Sequence, residues 1–584
     1  MSIENGLKTV KTLFDGSKKF KIPEYQRPYA WGEKQLEDFF YDFFYQSIEQ
    51  KYFYGTILLN ESSSDEDFDV LDIVDGQQRL TTLIIFISIL IKIIEKSNPN
   101  FNASLKKDIY LQYHGIFKLV QNNLDNDFFQ TYILGDDNGE ELIATSSQKR
   151  LWFAKSHLIN LIEKEKLNTE RLEEILKIID KTEVLVYSVE NSAEATLIFE
   201  TTNDRGKSLS NLEKMKSFMM YKCFLSNQPN KNDLIKNIDS RFGEIYRILE
   251  DIKPLFENIG IKSPNEDQLT QYHFIGYFNW TKKADYQNYL DNLKAYINRL
   301  LQDNKLEEAN TYIDQYSKSL KEFYIAIKNI LNSNSINLKE LSYLGRIAVF
   351  YPLIFKAFMT NRNDIEKLLK EIIDFSFIVF GLKMRRTNDV DVFFNSLSKN
   401  FDGDYIKLIQ SIKEKKEEVA EKKKILQKCN SPFFFDEYGS EVKNYLFWRY
   451  ENKLRTIQPV MNPMPIDDLI NKDEQLRPTI EHIQAKAVEW DDEIDEIQKE
   501  EFKENYENCI GNLVLDPKSA NSSKGKKKWE IKNENYFTNS ALKSQLELHT
   551  FLSDDSWDKF AIEKRQRILI DFIQKTWLGD IDEL

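Results

Sequence analysis

The sequence predicts a multi-domain, predominantly helical α+β protein. Its 584 residues are enough for roughly three or four domains of ordinary size. Hydrophobic residues make up 41% and charged residues 30%, which is a globular composition. Strand-like runs gather near the N-terminus and again near residue 480, and long helical patterns fill the chain between them. We therefore expect an α/β domain over 1–230, a helical connecting region over 231–439 and a compact domain over 440–584.

The first strands and the first long helix follow each other closely. Lys51–Leu59 is rich in aromatic and β-branched residues and predicts a strand, and Phe68–Val74 predicts a second. The acidic segment Glu61–Asp67 between them is expected to be a loop. Leu80–Glu95 predicts a buried helix, since its apolar stretch is shorter than the roughly 20 residues that cross a membrane.

A second junction of the same kind lies further along the chain. Glu183–Val189 predicts a third strand, and Ala193–Thr201 predicts a helix. The polar turn Asn203–Ser210 follows, and Ser210 or Asn211 can cap the next helix. Ligand sites of α/β folds gather where strands run into helices, so both polar junctions are candidate sites.

Charge and cysteine content narrow the class of protein. The net charge is −14, so nucleic-acid binding would depend on local basic patches. The dense Lys and Glu of Lys413–Lys428 predict a solvated helix face rather than a DNA-binding arm. The three cysteines are far apart, which suits a reducing cytoplasm, and we expect no membrane segment.

The first motif, which we name the proline box, is Ile22–Trp31. Pro23 and Pro28 stiffen the backbone, so that Gln26 and Arg27 are held between two rigid points. The aromatic residues of this segment could stack on a ligand. Alternatively, the segment is an aromatic–proline corner that seals a core.

The second motif, the glutamine box, is Asp75–Arg79. Gly76 permits a tight turn, and the Arg79 guanidinium matches phosphate geometry. Gln77 and Gln78 could bond a base, a sugar or an attacking water. If the helix begins at Leu80, its N-terminal amides add positive potential beside the turn. The structural alternative is an ion pair between Asp75 and Arg79.

The third motif is Asn203–Ser208. Its Gly-Lys-Ser end is similar to the end of a Walker A loop, but that loop needs a glycine at the position of Thr201. It is therefore not a P-loop. Asn203 and Arg205 could still bind an anion beside the glutamine box, and the alternative is an ordinary capped turn.

The fourth motif lies in the C-terminal domain. His482 follows Glu481 at the end of a strand-like run, Asn512 stands 30 residues later, and Asn521 nine beyond it. This spacing resembles an HNH, or ββα-metal, nuclease finger. Such chemistry needs an imidazole of near-neutral pKa and hard oxygen ligands for a divalent cation. The lysines of 518–532 predict a basic patch for a phosphodiester substrate, or else a solvated loop.

Taken together, these motifs resemble the GmrSD-type family of modification-dependent (type IV) restriction endonucleases and their anti-phage relatives. The resembling segments are Pro23–Trp31, Asp75–Arg79, Asn203–Leu209 and the HNH-like motif, in family order. Family members carry an N-terminal domain with a ParB/sulfiredoxin-like fold and a C-terminal HNH-like domain. The resemblance implies the same architecture here.

The resemblance also implies roles for individual residues. The N-terminal domain would bind and hydrolyse a nucleoside triphosphate, with Gln77, Gln78 and Arg79 central, and would help to sense modified DNA. The nucleotide-binding set is Gln26, Arg27, Asp75, Gly76, Gln78, Arg79, Asn203 and Arg205. The C-terminal domain would nick or cut double-stranded DNA, with His482 as general base and Asn512 as the structural asparagine. Asn521 would be the third catalytic position of the HNH motif, and Glu481 and Asn521 would bind Mg²⁺ or Mn²⁺.

Several alternatives stay open within this reading. The DNA modification could be glucosylated hydroxymethylcytosine, hydroxymethylcytosine or a phosphorothioate linkage, since all three are compatible with the family. The nucleotide could be GTP or another nucleoside triphosphate. A homo-oligomeric state is also compatible. Lys526 stands where relatives often have an asparagine, and Gln484–Lys486 replaces a common proline. A nucleotide-dependent DNA-binding regulator with an inactive HNH unit is the alternative function. A metal nuclease whose N-terminal fold is purely structural is a third.

Overall fold

A computed structural model gives the fold of the chain. It describes residues 5–23, 26–65, 68–122, 125–135, 137–189, 210–225, 231–457, 459–471, 473–486, 496–518, 524, 527–538, 540–552 and 555–579. The predicted helix Ala193–Thr201 and the third motif, with Asn203 and Arg205, lie outside these residues, and so do Asn521 and Lys526. The described residues form a mostly helical α+β protein, as predicted.

The chain divides into two compact units. The first contains Met1–Asp251 and Asn288–Tyr324, and the second contains Ile252–Gln287 and Ile325–Leu584. Helices Lys231–Asn258 and Leu306–Leu331 contain two of the points at which the chain passes from one unit to the other. The predicted boundaries after residues 230 and 439 stay predictions.

The sheet of the first unit is mixed and six-stranded. The strands of this unit are β1 Gly6–Thr9, β2 Lys18–Lys21, β3 Phe53–Asp65, β4 Phe68–Asp75, β5 Gln112–Tyr113, β6 Ile116–Phe117, β7 Leu119–Val120 and β8 Glu183–Val189. The sheet order is β1-β8-β3-β4-β2-β7, and β5 and β6 form a separate two-stranded ribbon. The β3–β4 and β1–β8 pairs are antiparallel, and the other three pairs are parallel.

The three predicted strands are confirmed as β3, β4 and β8. The prediction of a loop over Glu61–Asp67 is wrong for its first part. Residues 61–65 extend β3 and pair with β4, with Glu61 opposite Leu71 and Asp65 opposite Phe68. The pairing partner immediately downstream therefore outweighs the low strand preference of serine and aspartate.

Helices cover the sheet and build the core of the first unit. The helices lying wholly within this unit are Val10–Phe14, Glu33–Phe44, Gln77–Ser97, Ala103–Tyr110, Asn126–Phe128, Ser146–Lys164, Thr169–Lys181, Asn211–Leu225 and Tyr289–Gln302. The helix Gln77–Ser97 packs against Ala103–Tyr110, Ser146–Lys164 and Thr169–Lys181. Other elements cover this helix on nearly all sides, which agrees with the apolar side chains found around most of its circumference. It begins at Gln77, three residues before the predicted start.

The second unit is mostly helical. Its helices are Glu266–Tyr277, Lys283–Gln287, Ile336–Tyr343, Tyr351–Thr360, Ile365–Phe375, Asp391–Asn400, Tyr405–Val419, Lys422–Cys429, Phe434–Glu437, Ser440–Arg455, Glu496–Asn505, Trp529–Lys532, Lys543–Leu546 and Lys559–Ile573. Two strands, β9 Pro478–His482 and β10 Leu513–Pro517, form an antiparallel ribbon. The helix Ser440–Arg455 packs on both strands, and a small aromatic core with Trp529 and Trp557 lies beside them.

No helix in the described ranges is long and apolar enough to cross a membrane. The three cysteines are buried and free.

Candidate functional site

The glutamine box is a strand–glycine–helix junction. Asp75 ends β4, Gly76 has a φ of +92°, and Gln77 is the first residue of the helix. The amide of Leu80 donates to the carbonyl of Gly76 at 2.8 Å, which is the first bond of the helix. Glycine adopts this left-handed geometry without a steric penalty. Gln77, Gln78 and Arg79 therefore occupy the first helical turn rather than a preceding polar turn.

Arg79 is directed at β3. Its Nη2 donates to the main-chain oxygen of Thr56 at 2.6 Å and lies 3.3 Å from Oδ2 of Asp75. Its Nη1 lies 3.4 Å from the main-chain oxygen of Tyr54. A Cβ at Gly55 would lie 2.1 Å from that Nη1, so the missing side chain makes room for the guanidinium. The ion pair named above as the structural alternative is present.

The two glutamines join the glutamine box to the proline box. Gln78 accepts the amide hydrogen of Ala30 at 2.7 Å, and its Nε2 donates to the carbonyl of Pro28 at 3.3 Å. The Nε2 of Gln77 donates to the carbonyl of Arg27 at 3.0 Å. Both glutamines are buried. An amide side chain can donate and accept at once, which suits it to hold an irregular backbone segment.

Gln26 and Arg27 of the proline box reach neighbouring elements. The Nε2 of Gln26 donates to the carbonyl of Val74 at 2.9 Å. The Nε of Arg27 lies 3.3 Å from Oε1 of Glu213, in the helix Asn211–Leu225. Among the described residues, Oε1 of Gln77 has no hydrogen-bond partner although it is buried. The junction thus gathers two arginines, two carboxylates and one unsatisfied amide oxygen.

Glu213 is a site residue that the sequence reasoning missed. Ser210 caps its helix as predicted, since its Oγ accepts the amide hydrogen of Glu213 at 3.2 Å. The Glu213 carboxylate in turn accepts the amide hydrogen of Ser210 at 2.8 Å. The Ser-x-x-Glu pattern of a capping box was the sequence signal for this residue.

Burial raises the pKa of Asp75, and three positive or donor groups oppose the effect. These are, in order, the Arg79 guanidinium, the amide of Gly76 and the Arg27 guanidinium. The nearby Glu213 carboxylate acts in the same direction as burial. The pKa of Asp75 therefore stays above its usual value although two guanidinium groups lie nearby.

In the second unit, the predicted nuclease residues lie on the β9–β10 ribbon. His482 stands opposite Leu513, and Glu481 stands opposite Val514. Because side chains alternate along a strand, Glu481 and His482 project to opposite faces of the ribbon. Each therefore has its own set of partners.

His482 is half-buried beside an asparagine and a phenylalanine. Its Nε2 lies 3.1 Å from Oδ1 of Asn508, and its ring centroid lies 4.4 Å from that of Phe435. Its pKa is lowered to about 4, mainly by burial and to a smaller extent by Lys486 and Lys532, while the Asn508 hydrogen bond and Asp436 act in the opposite direction. Since an amide oxygen accepts, Nε2 carries the hydrogen and Nδ1 is the basic nitrogen. No sequence signal singled out Asn508 or Phe435.

Glu481, the predicted metal ligand, is buried against a lysine. The Nζ of Lys532 lies 2.5 Å from its Oε1 and also donates to the main-chain oxygen of His482 at 2.7 Å. Burial raises the pKa of Glu481, and Lys532 opposes that shift. The partner that neutralises this carboxylate is therefore an ammonium group of the same chain.

A second buried ion pair lies on the same face of the ribbon. The Nζ of Lys524 lies 2.5 Å from Oδ1 of Asp516, which also accepts from Nε2 of Gln545 at 2.6 Å. The predicted basic patch over 518–532 is thus wrong for Lys524 and Lys532, which are 1% and 0% exposed. Two carboxylates buried on one face require counter-ions, and these lysines supply them.

Asn512 is fully buried, and its side chain makes four hydrogen bonds. Its Oδ1 accepts from the amide of Gln484 at 2.9 Å and from Nε1 of Trp557 at 3.1 Å. Its Nδ2 donates to the main-chain oxygens of Gln484 at 3.0 Å and Glu507 at 2.9 Å. Asn512 therefore ties the segment after His482 to the segment before β10.

The described part of the chain contains one cluster of three potential metal-ligating side chains. One group of three, Glu33, Glu37 and His157, has ligand atoms within 4.8 Å of one another, and it lies in the first unit. No such group among the described residues includes Glu481 or His482. Asn521, the other predicted ligand, lies outside those residues.

Residues 10–220 match the family model of the GmrSD restriction endonuclease N-terminal domain, and residues 420–572 match that of the C-terminal domain. The two matches stand in family order and together cover more than half of the chain. The chain belongs to the GmrSD-like type IV restriction endonuclease family. No curated protein matches the sequence.

Proposed function

We propose that this protein restricts phage DNA: it recognises modified double-stranded DNA and nicks or cuts it by metal-assisted hydrolysis, under the control of a nucleoside triphosphate. The observation that carries the proposal is the match of both family domains in one chain, with His482 at the strand end that the HNH-like motif predicts. In this proposal the protein acts in the cytoplasm, as a monomer or as a homo-oligomer.

The proposed nuclease unit is an HNH finger built on the β9–β10 ribbon. His482 is the proposed general base. Its pKa of about 4 keeps the imidazole neutral at cellular pH, but it makes His482 a weaker base than the near-neutral imidazole that the motif predicts. Nδ1 would take a proton from the attacking water while the water oxygen bonds to phosphorus. The bond from phosphorus to an ester oxygen then breaks, and solvent protonates the leaving group. Asn512 is the proposed positioning residue, which its four bonds support.

The proposed cofactor is Mg²⁺ or Mn²⁺, with Glu481 and Asn521 as ligands. Glu481 fits this role poorly as it stands, because its carboxylate is paired with the ammonium of Lys532 and projects to the face of the ribbon opposite His482. Oxygen donors suit these hard cations. When bound, the cation would neutralise the scissile phosphate and the developing charge on the leaving oxygen. Glu481 would then have to share or release Lys532.

The proposed nucleotide site is the junction of the glutamine and proline boxes, within a ParB/sulfiredoxin-like fold. The helix N-terminus at Gln77, together with Arg27 and Arg79, supports binding of a triphosphate. The unsatisfied Oε1 of Gln77 could orient a water for hydrolysis. In the full proposed set, Gln26, Asp75, Gly76, Gln78, Asn203 and Arg205 also contact the nucleotide.

DNA cleavage by the wild type and His482→Ala tests the function. Plain and phage-modified DNA would be incubated with Mg²⁺ or Mn²⁺, with and without each nucleoside triphosphate. Cleavage that His482→Ala abolishes, and that depends on modification or nucleotide, is the expected result. Nucleotide hydrolysis without cleavage of any DNA would overturn the nuclease proposal.

The second candidate is a nucleotide-dependent DNA-binding regulator with an inactive HNH unit. The Glu481–Lys532 pair favours it, because the proposed metal ligand is already neutralised. The two candidates differ in the effect of His482→Ala. In a nuclease this change removes nicking and leaves DNA binding intact, whereas a regulator shows no nicking to remove.

A further inference from the structure

We propose that the sugar–phosphate backbone of DNA reaches His482 across Phe435 and a lysine-lined cavity behind it. This inference rests on the proposed nuclease function and names the surface that binds its substrate. The cavity has a volume of about 540 Å³ and opens in the second unit. Its charged wall residues are Lys383, Lys424 and Lys428, together with the two carboxylates of Asp436 and Glu437. We call it the lysine cavity.

Phe435 connects the lysine cavity to His482. The two ring centroids lie 4.4 Å apart, and Asp436, the next residue of the chain, lines the cavity. One wall residue of the cavity, Asp436, is therefore the chain neighbour of Phe435, which contacts the proposed base His482. A strand lying in the cavity would pass beside the imidazole.

Two ammonium groups converge on the ring of Phe435. The Nζ of Lys443 lies 3.6 Å from the ring centroid, and that of Lys486 lies 4.7 Å from it. Lys443 also donates to the main-chain oxygen of Phe435 at 2.6 Å, and Lys486 lies 3.4 Å from Oδ1 of Asp436. Two like charges close to one ring repel each other, and a phosphate group bound beside the ring would relieve that repulsion.

The cavity lysines are better placed to bind DNA than those of 518–532. Lys424 is exposed and pairs with an equally exposed neighbour, Glu421, at 2.5 Å, a pair that costs little to open. Lys428 forms no salt bridge in the described part of the chain. Lys524 and Lys532, in contrast, are buried in ion pairs. In an acidic protein, DNA binding depends on such a local basic surface.

The proposal predicts a change in the salt dependence of DNA binding. In a His482→Ala background, which prevents cleavage, a short fluorescent duplex of unmodified sequence would be titrated at several salt concentrations. Each lost lysine–phosphate contact reduces the slope of log K against log salt by about 0.9. The double change Lys424→Glu and Lys428→Glu should lower the slope by about 2 and weaken binding roughly tenfold or more.

Two further variants complete the test. Lys575→Glu changes an exposed lysine elsewhere in the second unit, one paired with Asp571, and should alter the affinity by less than about twofold. Lys424→Gln with Lys428→Gln removes the charges without reversing them and should show a smaller loss in the same direction. Circular dichroism verifies that each variant is folded.

The outcomes separate this inference from the proposed function. One outcome is that the DNA affinity and the salt slope of the Lys424/Lys428 variants equal those of His482→Ala while the wild type cleaves DNA normally. That result would overturn the proposed binding surface and leave the proposed function intact. A larger loss in Lys527→Glu than in those variants would move the surface to the exposed part of 518–532. A parent protein that neither binds nor cleaves DNA would contradict the proposed function itself.

Discussion

The ammonium of Lys532 lies 2.5 Å from the carboxylate of Glu481 in the second unit. The same ammonium donates to the main-chain oxygen of the next residue, His482, at 2.7 Å. One buried lysine thus holds the side chain of the proposed metal ligand and the backbone of the proposed base. Its loss should affect both stability and the geometry of the site.

Replacing Lys532 by methionine should be strongly destabilising. The change leaves the Glu481 carboxylate buried without a partner, which costs about 3–5 kcal/mol. Urea denaturation followed by tryptophan fluorescence would measure the loss. Adding Glu481→Gln should recover part of it. The control is Lys559→Met, whose exposed pair with Glu501 should contribute less than about 1 kcal/mol. Equal stability of Lys532→Met and wild type would contradict the buried pair.

The low pKa of His482 predicts an acid-tolerant cleavage reaction. Since the pKa is about 4 instead of 6.5, the base stays neutral as the pH falls from about 7 to about 5. The cleavage rate should therefore stay nearly constant over that range. Asn508→Ala removes a bond that raises this pKa, so any acid limb should move to lower pH. A rate that halves near pH 6.5 in the wild type would refute the assignment.

The same pKa shift has a consequence for stability. Between pH 6.5 and about 4 the unfolded chain binds a proton at His482 that the folded chain does not bind. The contribution of His482 to the free energy of unfolding is therefore at its full value above pH 6.5, and it is lost as the pH falls towards 4. The difference in unfolding free energy between wild type and His482→Ala, measured across this range, should shrink as the pH falls. A constant difference would show that the pKa is not lowered.

Gly55 should be intolerant of any side chain. Its φ is +116°, and a Cβ would lie 2.1 Å from Nη1 of Arg79. Gly55→Ala should thus combine backbone strain with displacement of Arg79, lowering both thermal stability and nucleotide hydrolysis. Gly115→Ala is the matched control, since its φ is +81° and nothing lies within 4 Å of the added carbon. It should cost only the backbone term, about 1 kcal/mol. Equal effects of both changes would argue against a close Arg79 contact.

Glu213→Gln should tighten nucleotide binding. The change removes the charge that holds Arg27 at 3.3 Å, while glutamine can still complete the capping box with Ser210. A freed guanidinium is available to phosphate, so the Kd for a nucleoside triphosphate should fall roughly five- to tenfold, a gain of about 1 kcal/mol. Isothermal titration calorimetry would measure it. Glu183→Gln, which breaks an exposed pair with Lys51, is the control. Weaker binding in Glu213→Gln would show that Arg27 does not reach the nucleotide.

Local patterns in the sequence predicted much of the first unit correctly. The strands Phe53–Asp65, Phe68–Asp75 and Glu183–Val189 and the buried helix after Gly76 follow from residue type and periodicity over short segments. The contact between the glutamine and proline boxes did not follow from these local patterns; only the family resemblance placed Gln26 and Arg27 in one nucleotide-binding set with Asp75–Arg79. Asn203, Arg205 and Asn521 lie outside the described residues and stay predictions.

The sequence by itself determined which chemical groups are present, in which order, and on which strands and helices they stand. Only the tertiary structure decided which of those groups are already bound. Gln78 and Arg79 form hydrogen bonds with backbone groups far away in the chain. Lys532 forms an ion pair with the carboxylate of Glu481, 51 residues away. The physical reason is that burial makes an unpaired polar group costly, so each one takes the partner that folding brings near it. That partner is set by long-range contacts, which a local pattern does not contain.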